Sequence, residues 1–485
     1  MMGIPAHHLE IDVLVLGMGI LLFETFAPKI EKKVFAYTGI AGLVLVLIAT
    51  FFLAPNPSGP DATGLWNFYT ADALAVFFKR FALVTTIIVL VMMIDYAPTE
   101  RSDAEGASNL GEFFSLPLLT CAGLMYLVSA IDFIFIFVAL ELVTISFFLL
   151  VSFPRRNATA LEAGVKYLIL GALSTAFLVY GITWIFGVTG ETNLQKVTAA
   201  FSTGKIDIHA ATFGAVLVLV GLGFKIAAVP FQIWVPDVYQ GAPTPVTAFL
   251  SVGSKAAGFV VLLRVLKPFL MLPNMQRLLV LLALLTVVYG NLAALPQNNL
   301  KRLLGYSSIA HAGYLLIGVA CFEGRAVIFY LSAYLLMTLL SFAVMILVAQ
   351  QTGDEISNFD GLAKRAPFLA FAMLIAMASL AGIPFTAGFF GKFLIFWAAI
   401  EKAQVALVVV GVVTVACGFY YYLKVVRAMY WQPSTNNNPI TVSVLSRAIM
   451  VLLIIATIVF GVYPQPLLNA MKSPPREKVA VESTR

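Results

Sequence analysis

Four charged side chains lie where an apolar chain tolerates them least: Glu141, Lys225, Lys255 and Lys392. Each is the lone formal charge in a long apolar run, Glu141 in 133–153, Lys225 in 210–235, Lys255 in 244–263 and Lys392 in 367–400. A charge near the centre of a bilayer costs roughly 2.5–3.5 kcal/mol on insertion scales, so such residues mark ion or proton paths by default. Carboxylates and amines exchange protons. An ammonium taken out of water gives up its proton far more readily, whereas arginine keeps its charge. Lysine, never arginine, at three deep positions therefore points to titration rather than fixed charge pairing. Glu141 is the acid of the set, and its alternative role is a structural carboxylate tying two helices together. Lys166, on the following helix, is its natural partner, although Glu162 one turn earlier competes for the same ammonium.

His311 is the only histidine in a membrane run, within KRLLGYSSIAHAGYLL. With Tyr306, Ser307 and Ser308 beside it, it could link water between two halves of the chain, or it could be a plain packing residue. Lys79 and Arg80, and Arg264 and Lys267 near a helix end, read instead as side chains that snorkel to the headgroups. No metal site is expected, because His7, His8, His209 and His311 form no ligand-spaced set. Cys121, Cys321 and Cys417 are isolated in apolar runs, which excludes a disulfide framework or an iron–sulfur ligand set. The GLGF at 221–224 falls inside an apolar run and is no nucleotide loop, so neither NAD binding nor a redox centre is expected in this chain.

These residues need long apolar elements to position them, and the composition supplies them. Of 485 residues, 61% are hydrophobic and 11% charged, against about 25% charged in soluble domains. Mean hydropathy is +0.96. This is an all-α polytopic membrane protein; a barrel would show alternating runs of about ten residues, which are absent. The net charge of +6 is scattered over helix ends with no basic block, so topology explains it and nucleic acid does not. The opening MMGIPAHHLEID lacks a basic n-region, so the first apolar run reads as a retained helix.

At about 20 residues per span, about fourteen helices are expected, near 11–27, 34–53, 71–95, 113–129, 131–153, 164–188, 210–235, 242–268, 276–296, 302–321, 325–350, 367–400, 403–430 and 444–468. The longest polar stretches, 96–112, 189–209, 351–366, 431–443 and 471–485, are too short for a soluble domain. Chemistry must then happen inside the membrane or through a partner. Lys and Arg outnumber those of the even loops in the odd-numbered loops, which places odd loops in the cytoplasm and both termini outside. The basic residues of the tail pull the other way.

Two runs carry internal prolines after small residues, AAVPF at Pro230 and AGIPFTAG at Pro384. Proline removes a backbone donor and clashes with the preceding turn, so both helices should be discontinuous. Lys225 lies five residues before its proline and Lys392 eight after its own, as an inverted pair of repeats would give. The expected organisation is an N-terminal three-helix segment (1–112), two inverted five-helix repeats (113–268 and 276–430), each containing a broken helix, and a C-terminal helix and tail (431–485).

Three segments carry a family pattern: GLGFKIAAVPFQIWVPDVYQGAPTPVTAFLSVGSKAAGF (221–259), NNLKRLLGYSSIAHAGYLL (298–316) and SLAGIPFTAGFFGKF (379–393). They resemble the core of the antiporter-like subunits of respiratory complex I, most of all the subunit N type of the bacterial NADH–quinone oxidoreductase. The resemblance covers nearly the whole chain. It implies proton translocation, as a subunit of a translocase enzyme, driven by electron transfer from NADH to quinone in other subunits. Flavin, iron–sulfur clusters and quinone would all sit there, with no cofactor in this chain. It implies a bacterial inner-membrane location and partners among the other membrane and peripheral subunits, especially neighbouring antiporter-like ones. By the same resemblance Glu141 and Lys166 form the uptake-side pair, Lys225 is the central lysine, Lys255 the connecting lysine and Lys392 the exit-side lysine. The larger sister subunit ends in a long lateral helix, for which this chain stops too early, and the middle one typically has glutamate where Lys392 stands. The family often has histidine at Gln232, which here can only orient water. A subunit of a multisubunit Na+/proton antiporter is the alternative, and a purely structural scaffold a third reading.

Overall fold

The computed structural model describes residues 4–26, 30–53, 64–97, 110–204, 206–434 and 439–470. Lys29, Arg101, Lys205 and the basic residues of 471–485, which enter the loop-charge comparison, lie outside the described residues, as does most of the polar stretch 96–112. A bilayer core offers no hydrogen bonds, so a long apolar run must satisfy its backbone within itself, and a helix does so. Among the described residues no strand forms, only isolated bridges.

The first part of the chain comprises α1 (His8–Phe26), α2 (Lys33–Ala49), α3 (Ala73–Tyr96), α4 (Leu110–Ser129), α5 (Phe133–Val151), α6 (Ala158–Thr189) and the short α7 (Leu194–Ser202). Next come α8 (Ile208–Ile226), α9 (Trp234–Gly241), α10 (Thr244–Phe249) and α11 (Lys255–Phe269). The remainder is α12 (Met275–Ala294), α13 (Leu300–Ala320), α14 (Gly324–Thr352), α15 (Leu362–Arg365), α16 (Pro367–Ala381), α17 (Ala387–Glu401), α18 (Val405–Trp431), α19 (Val444–Val462) and α20 (Gln465–Ala470). Among the described residues 11 helices are long and apolar enough to cross a membrane, with Thr244–Phe269 counted as one. Helices α2 and α16 are apolar but shorter.

Polar residues start these helices by accepting the free N–H groups of the first turn. Asp132 Oδ1 accepts from the N–H of Ile134 at 2.8 Å and caps α5; Asp72 Oδ1 accepts from Ala75 at 2.8 Å and caps α3. Two helices are interrupted. Between α8 and α9 the chain passes through Ala227 (φ 62°) and Pro230. The indole of Trp234 donates to the Phe224 carbonyl at 3.1 Å and the N–H of Val229 donates to Thr286 on α12 at 3.0 Å, so the break is pinned on both sides. Between α16 and α17 the chain turns at Gly382 (φ 90°) and Pro384. A third irregularity is a π-helical turn, Leu250–Ser254, that leads directly into Lys255; such turns often lie at functional sites.

The core runs along α10–α11, α13 and α14, each buried almost end to end. Helices α12 and α13 meet backbone to backbone: a Cβ at Gly290 would lie 2.3 Å from Ala310 N, and one at Gly313 2.5 Å from Val287 N. Helices α6, α18 and α19 instead turn apolar side chains outward, among them Ile169, Leu173, Val413 and Leu452. Such faces suit lipid or the apolar surface of another subunit.

Two sequence expectations are corrected here. Lys79 does not snorkel: it is fully buried and paired with Glu10 at 2.8 Å, because α1 and α3 both pack on α4 and turn these two side chains toward each other. Arg264 is also buried, its guanidinium held by both carboxylate oxygens of Asp72 at 2.7 and 2.9 Å and its Nε donating to the Val128 carbonyl. In each case a carboxylate on a neighbouring helix end, distant in sequence, replaces the headgroup.

Candidate functional site

Lys225 stands in the last turn of α8, just before the first break, and is 6% exposed. Its ammonium donates to the hydroxyl of Thr144 on α5 and lies 5.9 Å from the Tyr167 ring centroid. Glu141, one turn before Thr144 on α5, is half-buried and accepts from the Thr175 hydroxyl on α6 at 2.7 Å. It makes no direct contact with Lys225.

Lys255 opens α11 and is 2% exposed. Its ammonium donates to the Ser308 carbonyl at 2.6 Å and to the Ser308 hydroxyl, and it lies 5.5 Å from the Tyr334 ring. Gly258, one turn further along α11, leaves room for α8: a Cβ there would meet Lys225 Cβ at 3.4 Å. The helices carrying Lys225 and Lys255 therefore touch at the level of the two lysines.

Ser308 belongs to a polar stripe on α13. Its hydroxyl pairs with Tyr239 at 3.1 Å. Its neighbour Ser307 is hydrogen-bonded to the hydroxyl of Tyr422 on α18, and Tyr422 reaches His311 Nε2 at 3.0 Å. His311 Nδ1 lies 2.6 Å from the Tyr330 hydroxyl. Both ring nitrogens thus have partners. Tyr306 is elsewhere, packed against Tyr289 and Arg302 on the side of α13 away from this stripe's contacts.

Lys392, 5% exposed on α17, reaches back to the last carbonyls of α16, those of Leu380 at 2.7 Å and Ala381 at 2.9 Å. A cation is favoured there because the free carbonyls at a helix C-terminus carry partial negative charge. The Tyr314 ring lies 5.2 Å from its Nζ.

Lys166 stands apart from Glu141. Its ammonium is bound to Glu162 at 2.7 Å and to Asp237 on α9 at 2.8 Å. Asp237 also accepts from Arg302 at 2.8 Å. Gln232 is buried in the first break with its side-chain carbonyl unpartnered among the described residues. The structure thus brings Lys255 and His311 into one connected polar stripe and sets Glu141 near Lys225. It leaves Lys166 and Tyr306 outside that set. Thr144, Thr175, Tyr422 and Tyr330 join the site without any sequence signal except that they are polar residues in apolar helices.

None of Lys225, Lys255 and Lys392 has a carboxylate within ion-pair distance among the described residues; their partners are hydroxyls and carbonyls. Such ligands accept hydrogen bonds from an ammonium or an amine alike, so each lysine can change charge without stranding a counter-ion.

The sequence from 130 to 418 matches the family described as NADH:quinone oxidoreductase/Mrp antiporter, transmembrane. The chain belongs to this family. Among curated proteins, this antiporter-family chain is 38% identical over 479 residues to NADH-quinone oxidoreductase subunit N of Moorella thermoacetica, covering 96% of this chain and 98% of the relative. It is 39% identical over 464 residues to the subunit of the same name from Desulforamulus reducens, covering 94% and 95%. Among solved structures, a chain of respiratory complex I from Thermus thermophilus with bound aureothin superposes with a TM-score of 0.81 at 32% identity, over 96% of this chain and 99% of that one. The Mrp complex of a Dietzia species shares the fold at a TM-score of 0.82 and 20% identity, over 96% of each chain.

Proposed function

We propose that this chain is the proton-translocating membrane subunit N of a bacterial NADH–quinone oxidoreductase. Protons would move through a buried Glu/Lys relay while electrons pass from NADH to quinone in other subunits. The family and the named relatives support the subunit assignment. The observation that carries the relay is the set of three buried lysines without carboxylate partners among the described residues.

In this reading Glu141 sets the charge state of Lys225, Lys255 connects Lys225 to the α13 stripe, and His311 lies between Lys255 and Lys392. A proton on one amine raises the cost of charging the next, because like charges repel strongly where water is excluded. Charge then shifts along the row and a proton is taken up at one end as another leaves. Lys166 would join Glu141 as the uptake-side pair only after Asp237 releases it. Gln232 would orient water in the first break.

The same reading takes all fourteen expected segments as crossing the membrane and 113–268 and 276–430 as inverted repeats, flanked by 1–112 and 431–485. Each proposed repeat holds one interrupted helix, with its lysine before the break in one and after it in the other. Flavin, iron–sulfur clusters and quinone belong to the partner subunits of the assembled complex, in the inner membrane. The test is NADH-driven acidification of vesicles containing the assembled complex. Lys225→Ala or Glu141→Ala should depress pumping and coupled electron transfer while the complex still assembles; normal pumping in both would remove the relay.

A further inference from the structure

Glu10 and Lys79 form a second ionic centre, built by α1 and α3 and separate from the lysine row. Their side chains are at 0% exposure and lie 2.8 Å apart. Tyr69, buried in the segment leading into α3, bridges them: its hydroxyl accepts from Lys79 and donates to the Glu10 carboxylate, 3.0 and 3.3 Å from its two oxygens. Toward the outside, the Trp66 ring meets Tyr69 edge-on at 5.7 Å, and His7 meets Trp66 edge-on at 6.1 Å. His7 is only half-buried, yet its Nδ1 is enclosed with no hydrogen-bond partner among the described residues. The other groups facing this centre are His8 beside His7, Tyr126 and Cys121 of α4 toward Glu10, Ser129 toward Tyr69, and the Asp72–Arg264 pair toward Lys79.

A pair of this kind is a poor way to join two helices. Each buried ion costs several kcal/mol, and apolar residues of the same volume often serve as well or better. The tyrosine gives the pair a second use. A proton leaves the Lys79 ammonium for the Tyr69 oxygen as the Tyr69 proton passes to Glu10. The products are an amine, an intact phenol and a carboxylic acid, with every proton accounted for and no outside reactant. Losing the two charges removes their desolvation cost together with their attraction, which brings the ionic and neutral forms close in energy.

We propose that Glu10, Tyr69 and Lys79 form a second proton-exchanging site of this chain, reached from the surface on the His7 side. It rests on the chain being a proton-moving subunit but not on the lysine row. The test uses the assembled complex in vesicles, comparing Tyr69→Phe, Glu10→Gln and the double variant Glu10→Leu/Lys79→Met with Lys225→Ala. Tyr69→Phe keeps the ring and both charges, so a structural tie would survive it; a proton site loses protons moved per electron. Infrared difference spectra between oxidised and NADH-reduced enzyme should show a carboxyl C=O band that Glu10→Gln abolishes. Because Lys79 also touches Glu10 directly, a wild-type proton-to-electron ratio in both Tyr69→Phe and Glu10→Gln, or the absence of any Glu10-dependent band, overturns the proposal. If the double variant fails to assemble, these two single variants still decide. Normal pumping in Lys225→Ala and Glu141→Ala would instead overturn the lysine row and leave this site standing.

Discussion

Lys166 is bound to Asp237 and not to Glu141. The 2.8 Å contact ties α6 to α9, just past the first break, and Arg302 of α13 holds the other oxygen of the same carboxylate. Asp237 therefore joins three helices around the segment that follows Lys225, and it controls where Lys166 can go.

Burial alone would push the Asp237 carboxyl up, but the hydrogen bonds and charges of Lys166 and Arg302 outweigh it and hold it below its ordinary 3.8. A carboxylate lowered on folding stabilises the fold above its unfolded value and loses that contribution as pH falls through the folded one. The contact should thus be intact across the neutral range and weaken only below about pH 4. Asp237→Asn should reproduce that weakening at pH 7, lowering NADH-driven pumping without a change in the acid limb between pH 5 and 7. An activity profile that shifts within that window would show that Asp237 titrates there.

Gly382 has φ 90°, and a Cβ added there would lie 3.1 Å from Lys392 Cδ and 3.3 Å from its Nζ. Left-handed backbone costs a residue with a Cβ roughly 1–2 kcal/mol. Gly382→Ala should therefore lower thermal stability by about that amount and dislodge the Lys392 ammonium from the Leu380 and Ala381 carbonyls. Vesicle acidification should fall more than assembly, which native electrophoresis of the complex would measure.

Tyr422 carries the links to both Ser307 and His311. Tyr422→Phe keeps the ring packing and removes both bonds at once. Its pumping should drop to about the level of His311→Phe, and the double variant should be little worse than either, since residues of one network are not additive. Additive losses would mean that the two act separately.

The lone charges and the two prolines were legible because they violate the rules of an apolar helix, which need no partner to be noticed. Partners were not legible. Asp237 meets Lys166 and Tyr422 meets His311 only through tertiary packing, over separations of 71 and 111 residues. Lys79 shows the same limit: it reads like Arg80, Arg264 and Lys267 in sequence, and only the position of Glu10 on α1 separates a buried pair from a snorkelling cation. Tyr306 adjoins Ser307 and Ser308 in sequence, yet the helical turn sends it to a different face. The π-helical turn before Lys255 has no sequence mark at all.

The central claim is that the buried lysines work by losing and regaining a proton, not by holding a fixed charge. Lys225→Arg separates the two, because arginine keeps the cation but does not deprotonate in proteins. The measurement is protons moved per electron by the assembled complex in vesicles, for Lys225→Arg beside Lys225→Met. Equal loss of pumping in both variants is the predicted result. Restoration to the wild-type ratio by Lys225→Arg would contradict the account.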